Sequence, residues 1–192
     1  MSIEFSRERD GINVFFVSDI YTTPPDKFDT ILQKETYRVL QSLHIPFERV
    51  DTDEAITMED CVQIDKKLDM KMVKTLFLCN RQQTAFYLFI TAGDKPFRSK
   101  DFSNVLGVSR VSFAPANLME KMLGTKIGAA TVFSAILDKD NAVQIVFDKD
   151  VLAEEWYGCS DGITTSYMKI KTEKIIHDFL PFVKHIPTII EV

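Results

Sequence analysis

Two apolar runs set close together constrain this chain more than any other feature. "TLFLC" (75–79) and "AFYLFIT" (85–91) are joined across "NRQQ". Both are rich in aromatic and branched residues and are separated by polar turn formers. This pattern predicts an antiparallel hairpin with both faces largely buried. One residue resists the pattern: Lys74 stands where the chain enters the first run. A charge beside a core must reach water or have a partner that holds it.

Around the hairpin, strand-like and helix-like segments are interspersed. Phe28, Ile31, Leu32, Val39, Leu40 and Leu43 recur at helical spacing over about residues 26–44, and Pro46 stops that helix. "FERVD" reads as a short strand. Thr57 and Asp60 form a capping-box pattern ahead of a helix over 58–68, with Cys61, Ile64 and Leu68 on one face. Beyond the "GDKPF" turn, Ser99 can cap a helix carrying Phe102, Val105 and Leu106, ended by Gly107. "RVSFA" reads as a strand, and a helix over 116–123 runs to Gly124. "TVFSAIL", "AVQIVF" and "SYMKI" read as strands, "DVLAEEW" as a helix, and "YGCSDGITT" as a loop. Thr172 opens a final amphipathic helix. "INVFFVSDIY" is strand-like, and "TTPP" (22–25) forms a stiff joint after it. The expected organisation is an N-terminal extension over 1–25 and one α+β domain over 26–192.

Length and charge narrow the function classes. The chain has 192 residues, which suits a single domain with a substantial core. Lys and Arg number 23 against 28 Asp and Glu, a net charge of -5. That argues against a sequence-independent nucleic-acid coat but leaves room for a local basic patch. Lys66, Lys67, Lys71 and Lys74 form one such cluster, followed by Lys95, Arg98, Lys100 and Arg110. Cys61, Cys79 and Cys159 show no CxxC spacing and no rhythm with His44, His177 or His185. A disulfide framework or zinc site is therefore not expected. The charged start "MSIEFSRERDG" does not read as a signal peptide, and no apolar stretch approaches the roughly 20 residues of a membrane helix. A cytoplasmic protein with no membrane partner is expected.

Three stretches could carry chemistry. Lys74 is either a snorkelling lysine at a strand end or a cation beside a cleft, able to bind phosphate or stabilise a carbonyl oxyanion. "GTKIGAATVFS" (124–134) has glycines and alanines that would let backbone groups approach a ligand, or is an ordinary helix cap and turn. It is not a Walker A loop. "GCSDGITT" (158–165) offers Cys159 as a nucleophile without a histidine nearby in sequence, or is a turn lining a pocket.

"VKTLFLCN", "GDKPFRSKDFSNVLGVSRVSFA", "MLGTKIGAATVFSAILDKDNAVQIVFD" and "EEWYGCSDGITTSYMKIKTEKIIHDFL" occur in that order. The series resembles the YbaK/ProX family, free-standing relatives of the editing domain inserted in bacterial prolyl-tRNA synthetases, over about residues 27–192. The resemblance implies a curved, barrel-like mixed sheet wrapped by helices. It also implies a deacylase that hydrolyses a wrong amino acid from misacylated tRNA, typically alanine from the proline tRNA, without metal or other cofactor. Partners implied are the aminoacyl-tRNA acceptor end and a prolyl-tRNA synthetase. The family's lysine falls on Lys74, facing the terminal adenosine and ester. Its Gly-x-x-x-Pro loop falls on Gly128, Ala129, Ala130, Thr131 and Val132, gripping the aminoacyl moiety.

Val132 replaces that loop's proline. In the loop that reads "GxHPxxNT" in many relatives, Ser160 replaces histidine, Asp161 proline and Thr164 asparagine. The added hydroxyls predict a shift from strict alanine preference toward serine or threonine. The alternatives are a non-catalytic module that binds an amino acid, an aminoacyl-tRNA end or a synthetase, and a thiol hydrolase using Cys159.

Overall fold

The computed structural model describes residues 8–9, 12–55 and 57–192. The remainder of the proposed 1–25 extension lies outside the described residues. The short strands β1 (Glu8–Arg9) and β2 (Ile12–Asn13) pair antiparallel. The expected continuous strand "INVFFVSDIY" does not form. Beyond β2 the chain makes single bridges, Val17 to Thr52 and Tyr21 to Arg49.

The predicted hairpin is β4 (Val73–Asn80) with β5 (Phe86–Ala92), antiparallel, with Lys74 opposite Thr91. Asn80 builds the turn: its side-chain carbonyl accepts from Thr84 N–H at 2.9 Å and Ala85 N–H at 3.1 Å. β7 (Val143–Asp148) adds parallel to β5, and β10 (Thr188–Ile190) adds parallel to β7. β6 (Val111–Phe113) closes the other edge against β4, so the order is β10-β7-β5-β4-β6. A second, antiparallel sheet has the order β3-β9-β8, built from β3 (Glu48–Asp51), β9 (Ser166–Lys171) and β8 (Trp156–Ser160). A parallel bridge between Met72 and Gly158 joins the two sheets. The curved, barrel-like sheet expected from the resemblance is thus two sheets that meet at that bridge and do not close.

Helix α1 (Ile31–Ser42) begins at the Thr30 cap, later than its periodicity suggests, because Thr30 Oγ1 accepts from Gln33 N–H at 3.0 Å. α2 (Met58–Leu68) has the predicted capping box, with Thr57 and Asp60 exchanging bonds of 2.8 and 3.2 Å. In α3 (Ser99–Leu106), Ser99 is the first helical residue and Arg98 the cap. α4 (Ala116–Leu123) ends at left-handed Gly124 as expected. α1 and the C-terminal helical segment (172–182) pack on the core face of the sheets, where Phe77, Leu88, Phe147, Tyr157 and Ile170 meet Leu40 and Phe179. α3 covers the opposite face through Phe102, against Leu78, Tyr87 and Phe89. Burial from both sides explains why the hairpin runs are continuously apolar.

Three further segments differ from the sequence expectation. "TVFSAIL" is not a strand but a 3-10 turn over Val132–Ile136. Val132, Phe133, Ser134 and Ala135 are all buried, whereas a half-buried strand would alternate, and Ser134 Oγ donates to Leu123 O at 2.9 Å. "YGCSDGITT" is a loop only from Asp161 onward, because 156–160 form β8. "DVLAEEW" accordingly shrinks to the one-turn helix α5 (Lys149–Leu152). Among the described residues, no helix is long and apolar enough to cross a membrane.

Candidate functional site

A cleft of about 880 Å³ opens where the two sheets meet. β4 supplies Lys74, Thr75 and Leu76, β8 supplies Cys159 and Ser160, α2 supplies Cys61 and Asp65, and the loop after α4 supplies Ile127, Gly128 and Ala130. The sheets approach closely because Gly158 lacks a side chain: a Cβ there would lie 2.4 Å from Met70 Sδ and 3.1 Å from Lys71 O. Gly128 turns the small-residue loop with φ of 92°, a left-handed conformation that disfavours other residues.

Lys74 is half-buried, and its ammonium donates to the backbone carbonyl of Lys95. No carboxylate pairs with it among the described residues. Asp148 and Asp150 are occupied by a different lysine. Lys95 lies 2.8 Å from both Asp148 and Asp150, and Thr91 Oγ1 donates to Asp148 at 2.8 Å. Burial works against the Lys95 ammonium, but the two aspartates outweigh it and raise its pKa. Lys74 therefore brings an uncompensated positive charge to the cleft wall.

Of the residues singled out by sequence, Lys71, Lys74, Gly128, Ala130, Cys159 and Ser160 line this cleft. Ala129, Thr131, Val132, Asp161 and Thr164 lie outside its lining. Ala129 is buried, and its carbonyl accepts from Ser160 Oγ at 3.2 Å and Thr125 Oγ1 at 3.3 Å. Thr131 and Val132 are fully buried at the start of the 3-10 turn. Thr164 Oγ1 donates to Glu54 at 3.3 Å. The Ser160 hydroxyl also accepts from Gly162 N–H at 3.0 Å, so it ties the two loops together.

Asp161 turns away from the cleft and is 0% exposed. Its Oδ2 accepts from Tyr37 Oη at 2.6 Å, Ser166 Oγ at 2.6 Å and Gln33 Nε2 at 3.1 Å, while Oδ1 has no partner. Burial raises its pKa, against the three donors that favour the charged form. Cys159 borders the cleft but is 2% exposed, and burial raises its thiol pKa far above the usual range. That is the opposite of an activated nucleophile. Among the described residues, no group of three or more His, Cys, Asp or Glu is placed to hold a metal ion. The basic clusters are also partly neutralised, with Lys71 paired to Glu154 at 2.6 Å.

Asp65 and Phe113 were not among the sequence candidates. Asp65 lies one turn beyond Cys61, and its Oδ1 accepts from Met72 N–H at 3.0 Å. Burial pushes its carboxyl up to about 6, against that N–H, which favours the charged form. The available signal was an acid on the face of α2 that carries Cys61 and Leu68. Phe113 stands 62% exposed at the cleft, braced edge-on by Phe97 at 5.7 Å. An exposed phenylalanine on an edge strand has no distinguishing sequence signal.

A single unpaired cation, a small-residue loop and an apolar-walled recess define a domain that holds the end of a ligand rather than coating a polymer. Known proteins give that class its family. A family model described as the aminoacyl-tRNA editing domain matches residues 52–177. The prolyl-tRNA editing protein ProX of Acetoanaerobium sticklandii is 28% identical over 113 residues, covering 59% of this chain and 69% of that protein. A crystal structure described as a candidate trans-editing enzyme for prolyl-tRNA synthetase superposes with a TM-score of 0.60 at 13% identity, over 85% of this chain and 98% of that one. A scaffold used for computational epitope grafting superposes at 0.62 with 13% identity, over 85% and 97%. These structural likenesses show the fold. The chain belongs to the aminoacyl-tRNA editing domain family, within the YbaK/ProX group.

Proposed function

We propose that this protein is a trans-editing deacylase, acting in the cytoplasm on the acceptor end of a misacylated tRNA, with alanyl-tRNA(Pro) the leading substrate and seryl- or threonyl-tRNA the alternatives. The observation that carries this reading is the Lys74 ammonium, held at the cleft by a backbone carbonyl and paired with no acid among the described residues. A cation kept free of counter-ions is suited to a phosphate or to charge developing on an ester oxygen.

In this reaction a water molecule adds to the ester carbonyl. The bond between the acyl carbon and the ribose oxygen then breaks, the ribose oxygen takes up a proton, and the amino acid leaves as its carboxylate. Lys74 stabilises the oxyanion or the adjoining phosphate, and the vicinal ribose hydroxyl assists the attack. No metal or protein nucleophile takes part. The turn at Gly128 and the wall formed by Ala130 and Ser160 bound the aminoacyl group. Ala129, Thr131, Val132, Asp161 and Thr164 act from behind by holding those loops. Residues 26–192 form the editing unit, with 1–25 an appended segment, and a prolyl-tRNA synthetase is the expected partner. A pocket for a small amino acid separates neighbours by only a few kcal/mol, which is why a separate editing step is useful.

The test is a panel of aminoacyl-tRNAs incubated with the protein. Release of amino acid from one or a few small-side-chain species supports the reading. Tight binding of an aminoacyl-tRNA without turnover would instead identify a non-catalytic module.

A further inference from the structure

We propose that Asp65 anchors the α-ammonium of the substrate's aminoacyl group, setting the acyl carbonyl toward Lys74. This rests on the deacylase reading, and it assigns the end of the cleft that reading leaves unassigned. The cleft contains four carboxylate residues, Asp65, Asp94, Asp150 and Glu154. Asp150 is paired with Lys95 at 2.8 Å and Glu154 with Lys71 at 2.6 Å. Asp94 is exposed, so water compensates its charge. Asp65 differs from all three. It is partly withdrawn from water and has no cationic partner among the described residues.

The geometry suits a small cation. Met72 N–H holds Asp65 Oδ1 at 3.0 Å, which orients the carboxyl group, and Cys61, Ser160 and Tyr167 border the same space. Met72 stands two residues before Lys74, a separation of roughly 7 Å along an extended chain. An aminoacyl ester has its ammonium and its carbonyl on adjacent carbons, so one small ligand can address both groups. The ammonium is also the one charge of an uncharged side-chain's aminoacyl moiety. A partly desolvated carboxylate gains most from a cation that completes its pairing. Asp65 would therefore distinguish a free aminoacyl group from an N-blocked one.

The experiment measures binding of a non-hydrolysable 3′-alanylamido-3′-deoxyadenosine and its N-acetyl derivative to the full chain and to Asp65→Asn. Asparagine keeps an acceptor for Met72 N–H and removes the charge. The wild type is expected to prefer the free amine by about tenfold or more, and the variant to bind both forms within about twofold. Affinity for the N-acetyl form should be unchanged, which also reports that the variant is folded. Equal affinity of the wild type for the two forms overturns the proposal without any variant. So does an Asp65→Asn protein that retains the preference, or one that weakens both ligands equally. If the preference behaves as expected while no ester is hydrolysed, the anchor stands and the deacylase reading fails.

Discussion

Lys74 and Asp161 are two charges within one domain, handled in opposite ways. Asp161 is sealed from water, and three side chains from α1 and β9 converge on one of its oxygens. Lys74 is half-exposed, with a backbone carbonyl as its partner and the neighbouring acids paired to Lys95. The first arrangement concentrates three donors on Oδ2 and shuts the unpartnered Oδ1 away from water, which suits holding a loop in place. The second leaves charge available to something that arrives later. A polar group that works on a ligand is recognisable by unpaired charge that a ligand can reach.

The largest expected effect tests the open side of this contrast. Lys74→Ala should lower deacylation by about two orders of magnitude or more while leaving the protein folded. Single-turnover rates and a melting curve check this together, and near-normal turnover in a folded variant would remove Lys74 from the chemistry. Asp161→Ala tests the closed side. It leaves Tyr37, Gln33 and Ser166 without an acceptor, so urea unfolding should show a loss of about 3 kcal/mol. Turnover per folded molecule should stay within a few-fold, and Asp161→Asn should lose less stability because its carbonyl still accepts. If Asp161→Ala slows folded protein as much as Lys74→Ala does, the contrast collapses.

A smaller effect is expected at Ser160, which borders the cleft and also ties the loops. Ser160→His should change the ratio of alanyl- to seryl-tRNA single-turnover rates by up to about tenfold. An unchanged ratio would show that this wall does not shape selection. The smallest effect concerns Asp65, whose carboxyl is pushed from 3.8 to about 6 in the folded protein. Because folding raises this pKa, its protonated form contributes stability that is complete below about pH 4 and is lost as the pH rises through about 6. Asp65→Asn lacks this dependence. Relative to the wild type it should gain about 1 kcal/mol between pH 4.5 and 7.5, a figure reduced for the partial exposure of the group. Denaturation at the two pH values checks it. No difference would mean that the carboxyl is well hydrated and does not stand ready for a cation.

Legibility in sequence followed the range of the forces involved. The β4–β5 hairpin, the capping box of α2 and the left-handed stop at Gly124 were readable because residues a few positions apart determine them. The stretch 132–136 is ambiguous in sequence because its apolar content fits strand and buried turn alike. Contacts with Leu123 and with Phe179, whose ring lies 5.2 Å from that of Phe133, make it a turn. β10 has no local signal because its three residues acquire their partner only from distant β7. Lys74 was identifiable as a charge at the edge of an apolar run, but the absence of an acid beside it was not. That depends on Asp148 and Asp150, more than seventy positions away, being held by Lys95.

By itself the sequence determined the periodic elements, the α+β class and the ordered motifs of an editing domain. These follow from local backbone preference and from residue identity. Tertiary structure decided which of the motif residues face the cleft. Gly128, Ala130 and Ser160 line it, whereas Asp161, adjacent to Ser160, points into the protein toward Tyr37. It also decided that Asp65, an ordinary helical acid in the sequence, borders that same space. The reason is geometric: where the Met72–Gly158 bridge brings two sheets together, side-chain direction is set by packing across a long chain separation that no local pattern encodes.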